Sequence, residues 1–197
     1  IKAKRIEFLE PLPTQPMGSW TLLDENTIFY SAKCTSPFAN GEAEFVEDKT
    51  NPPSRAYLKL WEMFTLHGVR PEAGAHVLDV GSSPGGWTWV LSEMGCEVTS
   101  VDKAPLEDKI LKRKNVHYLQ ESAFGLEPAK VGEVEWFFSD IICYPGKLLK
   151  LIEKWQKPGR RMVCTIKFQK TTDFDALKQF AAIPGARLIH LYHNKHE

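Results

Sequence analysis

A glycine-rich loop at residues 80–90, VGSSPGGWTWV, is the stretch of this sequence best suited to holding a ligand. It follows an aliphatic run and contains Gly81, Pro84, Gly85, Gly86 and Trp87. Glycines let a backbone turn tightly and approach a ligand closely. The loop lacks the middle glycine of the GxGxxG dinucleotide pattern, and no Gly-Lys-Ser/Thr follows as in a Walker loop. The spacing therefore favours a nucleoside-like ligand that is not held by a phosphate cradle.

Two carboxylates stand where the strands beside this loop are predicted to end. Asp79 lies at the tip of the aliphatic run, and Asp102 follows Gly81 at the spacing that one βαβ unit requires. Asp102 would hold ribose hydroxyls, and Asp79 would support the loop or face an ammonium group. These features favour S-adenosylmethionine as the cofactor. The alternative is that Gly85 and Gly86 only form a tight turn between a strand and a helix.

Alternating strand and helix patterns must position these groups. A helix is predicted from Ser54 to Gly68, because SRAYLKLWEMFTLHG has apolar residues at helical spacing and a closing glycine. Further helices are predicted at 86–94, 105–112, 145–157 and 173–182. Strands are predicted at 76–81, 97–102, 116–120, 134–141, 161–168 and 186–193. This alternation indicates an α/β, Rossmann-like fold with a mainly parallel sheet and helices on both faces.

The composition is that of an ordinary globular chain. The 197 residues include 25 basic and 25 acidic side chains, so the net charge points to no particular partner. Four cysteines form no metal-binding pattern, and no apolar run approaches the length of a membrane span. We therefore expect a cytoplasmic protein without a metal site or membrane contact. Residues 1–53 are predicted to be an N-terminal extension or the remnant of an upstream domain, and residues 54–197 the main domain.

Four segments, in order, resemble the motifs of one enzyme family. SRAYLKLWEMF resembles the helix, and LDVGSSPGGWTWVL the cofactor loop, of the FtsJ-like RNA 2′-O-ribose methyltransferases. FFSDIICYP and CTIKFQ are similar to segments of the fourth and fifth strands in that family. PGGWTW, VTSVDKAPL and LYHNKHE look closest to the branch that methylates cytidine riboses in bacterial 23S ribosomal RNA. The resemblance covers residues 54–197 and implies the S-adenosylmethionine-dependent methyltransferase fold, that cofactor, and RNA as the substrate.

The resemblance also implies a catalytic Lys-Asp-Lys-Glu set at Lys59, Asp140, Lys167 and Glu197. A ribose 2′-hydroxyl is a weak nucleophile, so its proton must leave as the new bond forms. A lysine accepts a proton only when it is neutral, a state that burial and a second cation favour. We therefore assign Lys167 as the general base, with Asp140 and Glu197 orienting it and Lys59, and with Asp140 beside the methyl donor. Each member also has an ordinary interpretation, as a solvated lysine, a helix cap or a chain terminus.

The expected cofactor contacts lie in the loop, at the strand ends and at the start of the following helix. They are Asp79, Gly81, Ser83, Pro84, Gly85, Gly86, Trp87, Thr88, Asp102, Glu121, Ser122 and Asp140. Glu121 and Ser122 follow the third predicted strand, and the adenine contact stays open between them. Trp87 either flanks the cofactor or only packs against its neighbours.

Basic clusters at 109–114, 147–161 and 167–170 predict contact with RNA phosphates. For 147–161 the alternative is a solvated helix face. Alternative functions are methylation of an RNA base, of tRNA or of a cap, and RNA binding without catalysis. The oligomeric state stays open, with a monomer favoured. In the family the sheet ends in an antiparallel strand near the glutamate, and we expect this strand to be missing or incomplete here.

Overall fold

The computed structural model describes residues 5–15, 17–168 and 171–194, and a parallel sheet is their central feature. The strands of this part of the chain are β1 Ser19–Asp24, β2 Thr27–Ser31, β3 His76–Val80, β4 Glu97–Asp102, β5 Val116–Gln120, β6 Trp136–Ser139 and β7 Arg161–Cys164. The α-helices are α1 Tyr57–His67, α2 Gly86–Glu93, α3 Asp108–Leu111, α4 Pro128–Val131, α5 Pro145–Trp155 and α6 Phe174–Ala181. A short 3-10 turn covers Ala39–Gly41. Within the described ranges, no helix has both the length and the apolar character needed to cross a bilayer.

The main sheet contains five parallel strands in the order β5-β4-β3-β6-β7. Strand β3 is central, and its Val77 pairs with Val98 on one side and with Trp136 on the other. The chain builds outwards from β3 to β5 and then crosses back to β6, so the strand order reverses beside β3. Ligands bind at the carboxyl ends of the strands at such a reversal. This topology confirms the predicted α/β, Rossmann-like fold.

Each face of the sheet has its own apolar core. Residues of α1, α2 and α3 pack with Val77, Val98 and Phe138 on one face. Residues of α5 and α6 pack with Leu78, Val101 and Phe137 on the other. Because neighbouring strand residues point to opposite faces, both faces require apolar side chains, and this explains the unbroken aliphatic runs in the sequence.

The N-terminal segment contacts α1 through its two ends. Ile6 pairs with Phe45 in an isolated bridge, and Phe8 stacks on Trp61 with ring centroids 5.0 Å apart. The backbone N–H of Leu9 donates to the Thr65 hydroxyl of α1 at 3.1 Å. Between these contacts, the antiparallel hairpin β1-β2 is exposed along its whole length.

The predicted strand at 186–193 is wrong. Residues 186–191 have no regular secondary structure, and Tyr192 and His193 form a turn. The backbone N–H groups of Tyr192 and His193 donate to the carboxylate of Glu62. Their acceptor is thus a side chain and not the backbone of a neighbouring strand. The strands predicted at 134–141 and 161–168 are shorter than expected, because the chain leaves the ladder before Asp140 and after Cys164.

Candidate active site

The glycine-rich loop connects β3 to α2 at the point where the strand order reverses. Gly81 has a φ of 73°, and a Cβ at this position would lie 2.7 Å from the Cα of Ile141. Gly85 has a φ of 113° and directly precedes α2. Both backbone conformations disfavour other residues, and Gly81 also allows the chain leaving β6 to cross the loop. The peptide bond between Ser83 and Pro84 is cis.

Asp102 ends β4 and faces this loop. One of its carboxylate oxygens accepts the backbone N–H of Ser83 at 3.0 Å, and the other accepts the N–H of Ala104 at 2.9 Å. Each oxygen of a carboxylate can accept about two hydrogen bonds. Asp102 therefore fixes the loop and keeps capacity on both oxygens for two neighbouring hydroxyls.

Asp79 lies below the loop and is 1% exposed. Its Oδ2 accepts the hydroxyl of Thr88 at 2.7 Å, and that hydroxyl also lies 2.9 Å from the hydroxyl of Ser100. Its Oδ1 is buried and has no hydrogen-bond partner among the described residues. Burial, together with the nearby charges of Asp140 and Asp102, raises the pKa of Asp79 to about 7.

Three charged side chains meet where β6 and β7 end. Lys59 of α1 donates to both oxygens of Asp140, at 3.0 and 3.3 Å. Lys167 lies 3.0 Å from the same Oδ1 and also donates to the backbone carbonyl of Asp140. The side chains of Lys59, Asp140 and Lys167 are between 9% and 15% exposed. The structure thus brings two cations onto one largely buried carboxylate.

A pocket of about 350 Å³ joins these groups. The predicted site residues in its wall are Asp79, Gly81, Ser83, Pro84, Gly86, Trp87, Asp102, Asp140 and Lys167. Lys59 lines a neighbouring cavity of about 390 Å³. Within the described residues, no group of His, Cys, Asp and Glu side chains is arranged to hold a metal ion.

Several predicted residues lie outside the wall of the pocket. Thr88 is fully buried beneath it and holds Asp79, while Gly85 packs near Ile110. Glu121 contacts Lys130, and neither Glu121 nor Ser122 is part of the wall that the described residues form. Glu197 falls outside the residues that the structure describes.

Trp87 has a structural contact in addition to its place in the wall. It is 4% exposed, and its indole N–H donates to the carbonyl of Ala56 at 2.9 Å. Its ring lies edge-on to Phe138. Trp87 therefore fastens the start of α2 to the segment that leads into α1.

Sequence reasoning missed five residues of the pocket wall: Ser54, Ala56, Ser82, Ile141 and Ile142. The Ser82 hydroxyl is buried without a hydrogen-bond partner among the described residues. Ser54 and Ala56 belong to the SRAYLKLWEMF segment, whose likeness to the family was a signal for them. Ile141 and Ile142 belong to the FFSDIICYP segment, whose likeness to the family was a signal of the same kind, and the crossing of the loop after β6 over Gly81 brings this segment to the pocket.

The parallel sheet, the pocket at its switch point and the carboxylates at the strand ends define a Rossmann-like methyltransferase fold. The chain belongs to the FtsJ-like methyltransferase family, because the model of that family matches residues 52–171. This match confirms the family that the four motifs indicated.

The relatives carry related names. A Ribosomal RNA large subunit methyltransferase M from Halorhodospira halophila is 32% identical over 75% of this chain and 46% of its own length. One of the same name from Pseudoalteromonas translucida is 26% identical over 100% of this chain and 60% of its own length. A solved chain from Streptococcus thermophilus that carries the name hemolysin superposes with a TM-score of 0.55 and 24% identity, covering 64% of this chain and 48% of that one, and shows the fold alone. The chain thus spans about half the length of the Halorhodospira relative.

Proposed function

We propose that this chain transfers a methyl group from S-adenosylmethionine to a ribose 2′-hydroxyl of RNA, specifically in large-subunit ribosomal RNA. The observation that carries the proposal is the contact of Lys59 and Lys167 with one carboxylate, Asp140, at the mouth of the switch-point pocket. The family match and the names of the relatives support methyl transfer and the choice of RNA.

The residues of the pocket fit S-adenosylmethionine. Asp102 has acceptor capacity on both oxygens for the ribose hydroxyls, and the unpartnered Oδ1 of Asp79 suits the ammonium of the amino-acid end. Gly81 and Ser82 line the wall between these carboxylates, so backbone approaches the ligand closely there. When bound, the cofactor supplies an electrophilic methyl group.

The charged cluster supplies the acid–base chemistry. Lys167 is assigned as the general base because it lines the cofactor pocket, whereas Lys59 lines the neighbouring cavity. Asp140 contacts both ammonium groups. When one of the two lysines loses a proton, one ammonium and one carboxylate remain charged, so the three groups together carry no net charge. Lys167 would take the proton of the 2′-hydroxyl, and Lys59 and Asp140 would orient it. Glu197 stays a proposed member of the set.

RNA would approach over the loop that follows β6. Ile142 borders the pocket and is 79% exposed, and Tyr144 is 62% exposed. Exposed apolar and aromatic side chains of this kind can stack on an unpaired base. The predicted basic stretch 147–161 is partly neutralised, because Lys154 pairs with Glu127 and Lys157 pairs with Glu133. Lys147, in the first turn of α5, lies 5.9 Å from the ring of Phe124.

The test is transfer of a labelled methyl group from S-adenosylmethionine to transcribed large-subunit ribosomal RNA. Nuclease digestion then locates the label, and we expect a 2′-O-methylated nucleotide. Lys167→Ala should lower turnover by a factor of about 100 or more, since a general base contributes roughly that much. Calorimetry should give this variant a cofactor Kd close to that of the wild type.

The matched control is Lys178→Ala, which removes an exposed lysine outside the predicted basic clusters. This variant should keep full turnover. Label on a base or on protein contradicts the ribose assignment. Substantial turnover by Lys167→Ala contradicts the assignment of the base while leaving the ribose product intact.

A further inference from the structure

We propose that Glu62 is a positioning residue, which clamps the segment Leu191–Asn194 against α1 and so fixes the wall of the catalytic site opposite the cofactor pocket. The inference rests on the proposed function. Glu62 lies three residues after Lys59, so both side chains project from the same side of α1. Within the described part of the chain Glu62 forms no ion pair with a lysine or arginine, and an exposure of 2% is unusual for such a carboxylate.

Three hydrogen-bond contacts occupy this carboxylate. The N–H of Tyr192 donates to Oε1 at 2.8 Å, and the N–H of His193 donates to Oε2 at 3.0 Å. The Nδ1 of His193 lies 2.7 Å from the same Oε2. All three come from two consecutive residues about 130 positions further along the chain. A carboxylate is the side chain that can accept from both backbone groups at once.

The clamped segment forms part of the catalytic surroundings. Leu191 and Asn194 line the same cavity of about 390 Å³ as Lys59. The ring of His193 also packs against Phe45, with centroids 5.6 Å apart. Helix α1 therefore holds Lys59 on Asp140 and, one turn later, holds the segment that faces Lys59.

The clamp holds the part of the chain that faces Lys59, because Leu191 and Asn194 line the same cavity as this lysine. Loss of the clamp should lower the rate of the chemical step, because misplacement by about 1 Å can cost roughly a hundredfold in rate.

Thr65 provides a matched comparison on the same helix. It lies three residues after Glu62, is 9% exposed, and accepts the backbone N–H of Leu9 from a distant segment. Neither Thr65 nor Leu9 lines the cavities around Lys59 and Asp140 in the described part of the chain. Thr65→Val therefore removes a buried tertiary hydrogen bond of α1 without touching the site.

The experiment compares Glu62→Gln, Thr65→Val and the wild-type chain in three measurements. These are kcat and KM for methyl transfer to large-subunit ribosomal RNA, the Kd of S-adenosylmethionine, and hydrogen exchange at the amides of Tyr192 and His193. In Glu62→Gln, kcat should fall at least about tenfold, with KM and Kd within about threefold of wild type. Exchange at one or both amides should accelerate. In Thr65→Val, both kcat and these exchange rates should stay at the wild-type level.

Three results would overturn the inference: wild-type kcat in Glu62→Gln, an equal loss of kcat in Thr65→Val, or unchanged exchange at both amides in Glu62→Gln. A loss of kcat that is caused only by lower stability of the fold would appear in both variants. A loss of kcat that is caused by the positioning role appears only in Glu62→Gln. A wild-type chain that transfers no methyl group contradicts the proposed function itself. In that case the exchange rates alone support or overturn the clamp.

Discussion

Asp79 places one carboxylate oxygen on Thr88 and leaves the other without a hydrogen-bond partner among the described residues. Burial raises its pKa from 3.8 to about 7. Between these values the folded protein keeps a proton that the unfolded chain has lost. The stabilising contribution of this group is therefore complete below about pH 4 and is lost as the pH rises through about 7.

Replacing Asp79 by Asn should remove this pH dependence. Between pH 4 and pH 8 the free energy of unfolding of the wild type should fall, relative to that of Asp79→Asn, by up to about 4 kcal/mol. Urea unfolding of both proteins across this range measures the difference. Parallel pH profiles for the two proteins would show that Asp79 titrates at an ordinary pKa.

Asp102 is expected to contribute to cofactor affinity through its remaining acceptor capacity. In Asp102→Asn one oxygen becomes an NH₂ group, which cannot accept from the N–H of Ser83 or from a ribose hydroxyl. Hydrogen bonds to charged groups contribute about 1.5–3 kcal/mol, so the Kd for S-adenosylmethionine should rise roughly 10- to 100-fold. Calorimetric titration measures this change. An unaltered Kd would place the ribose elsewhere.

At the scale of elements, the loop after β6 contributes both to the charged cluster and to the exposed rim of the pocket. Its first residues, Asp140 and Ile141, hold the lysines and cross Gly81. The residues that follow, Ile142 and Tyr144, are exposed at the rim. The same short loop thus links the charged cluster to the surface over which RNA would approach.

Removal of the Tyr144 ring should weaken RNA binding and leave cofactor binding unchanged. Stacking of a base on an aromatic side chain contributes about 1–3 kcal/mol, so Tyr144→Ala should raise the Kd for RNA by roughly 5- to 100-fold. Fluorescence anisotropy with labelled RNA measures it. Phe174→Ala on α6, where the side chain is 69% exposed, is the control for loss of an exposed ring. Equal effects of both variants would contradict a specific platform at Tyr144.

The sequence predicts the inner strands β3 and β4 well. They match their predicted ranges to within one residue, since their aliphatic runs must cover two cores. The edge strand β5 also matches its predicted range, although it is only partly buried. Helix α4 escaped prediction because four residues carry too little periodicity. Strand β1 escaped it because the hairpin buries neither face, so its sequence shows no alternation of apolar and polar residues.

The residues of the site also differ in how well the sequence predicts them. The loop glycines and Asp102 follow from local spacing, because one βαβ unit fixes their relation. The meeting of Lys59 with Asp140 depends on residues 81 positions apart, and family resemblance rather than spacing indicated it. Glu62 belongs to the SRAYLKLWEMF segment, so the resemblance marks the residue, but nothing in the sequence indicates its partners, because two of them are backbone N–H groups, which every residue except proline carries.

At the scale of the whole molecule, the clamp couples α1 to the last described segment. In a chain that ends after His190, the partners of Glu62 are absent. Glu62→Gln should therefore cost about 1–3 kcal/mol in the 197-residue chain and close to nothing in the shortened one. Thermal or urea unfolding of the four proteins forms a double-mutant cycle. Equal costs in both backgrounds would show that Glu62 and residues 191–197 do not interact energetically.

Helix α1 has a consequence for how the chain acquires its structure during synthesis. Its buried polar groups at Thr65, Lys59 and Glu62 find partners 56, 81 and 131 residues away, respectively. The partner of Thr65 leaves the ribosome before the helix does, that of Lys59 emerges 81 residues later, and those of Glu62 emerge about 130 residues later. Contacts between such distant residues form slowly, because the intervening chain must first close a long loop. The helix that carries Lys59 is therefore made long before the last of its tertiary hydrogen bonds can form.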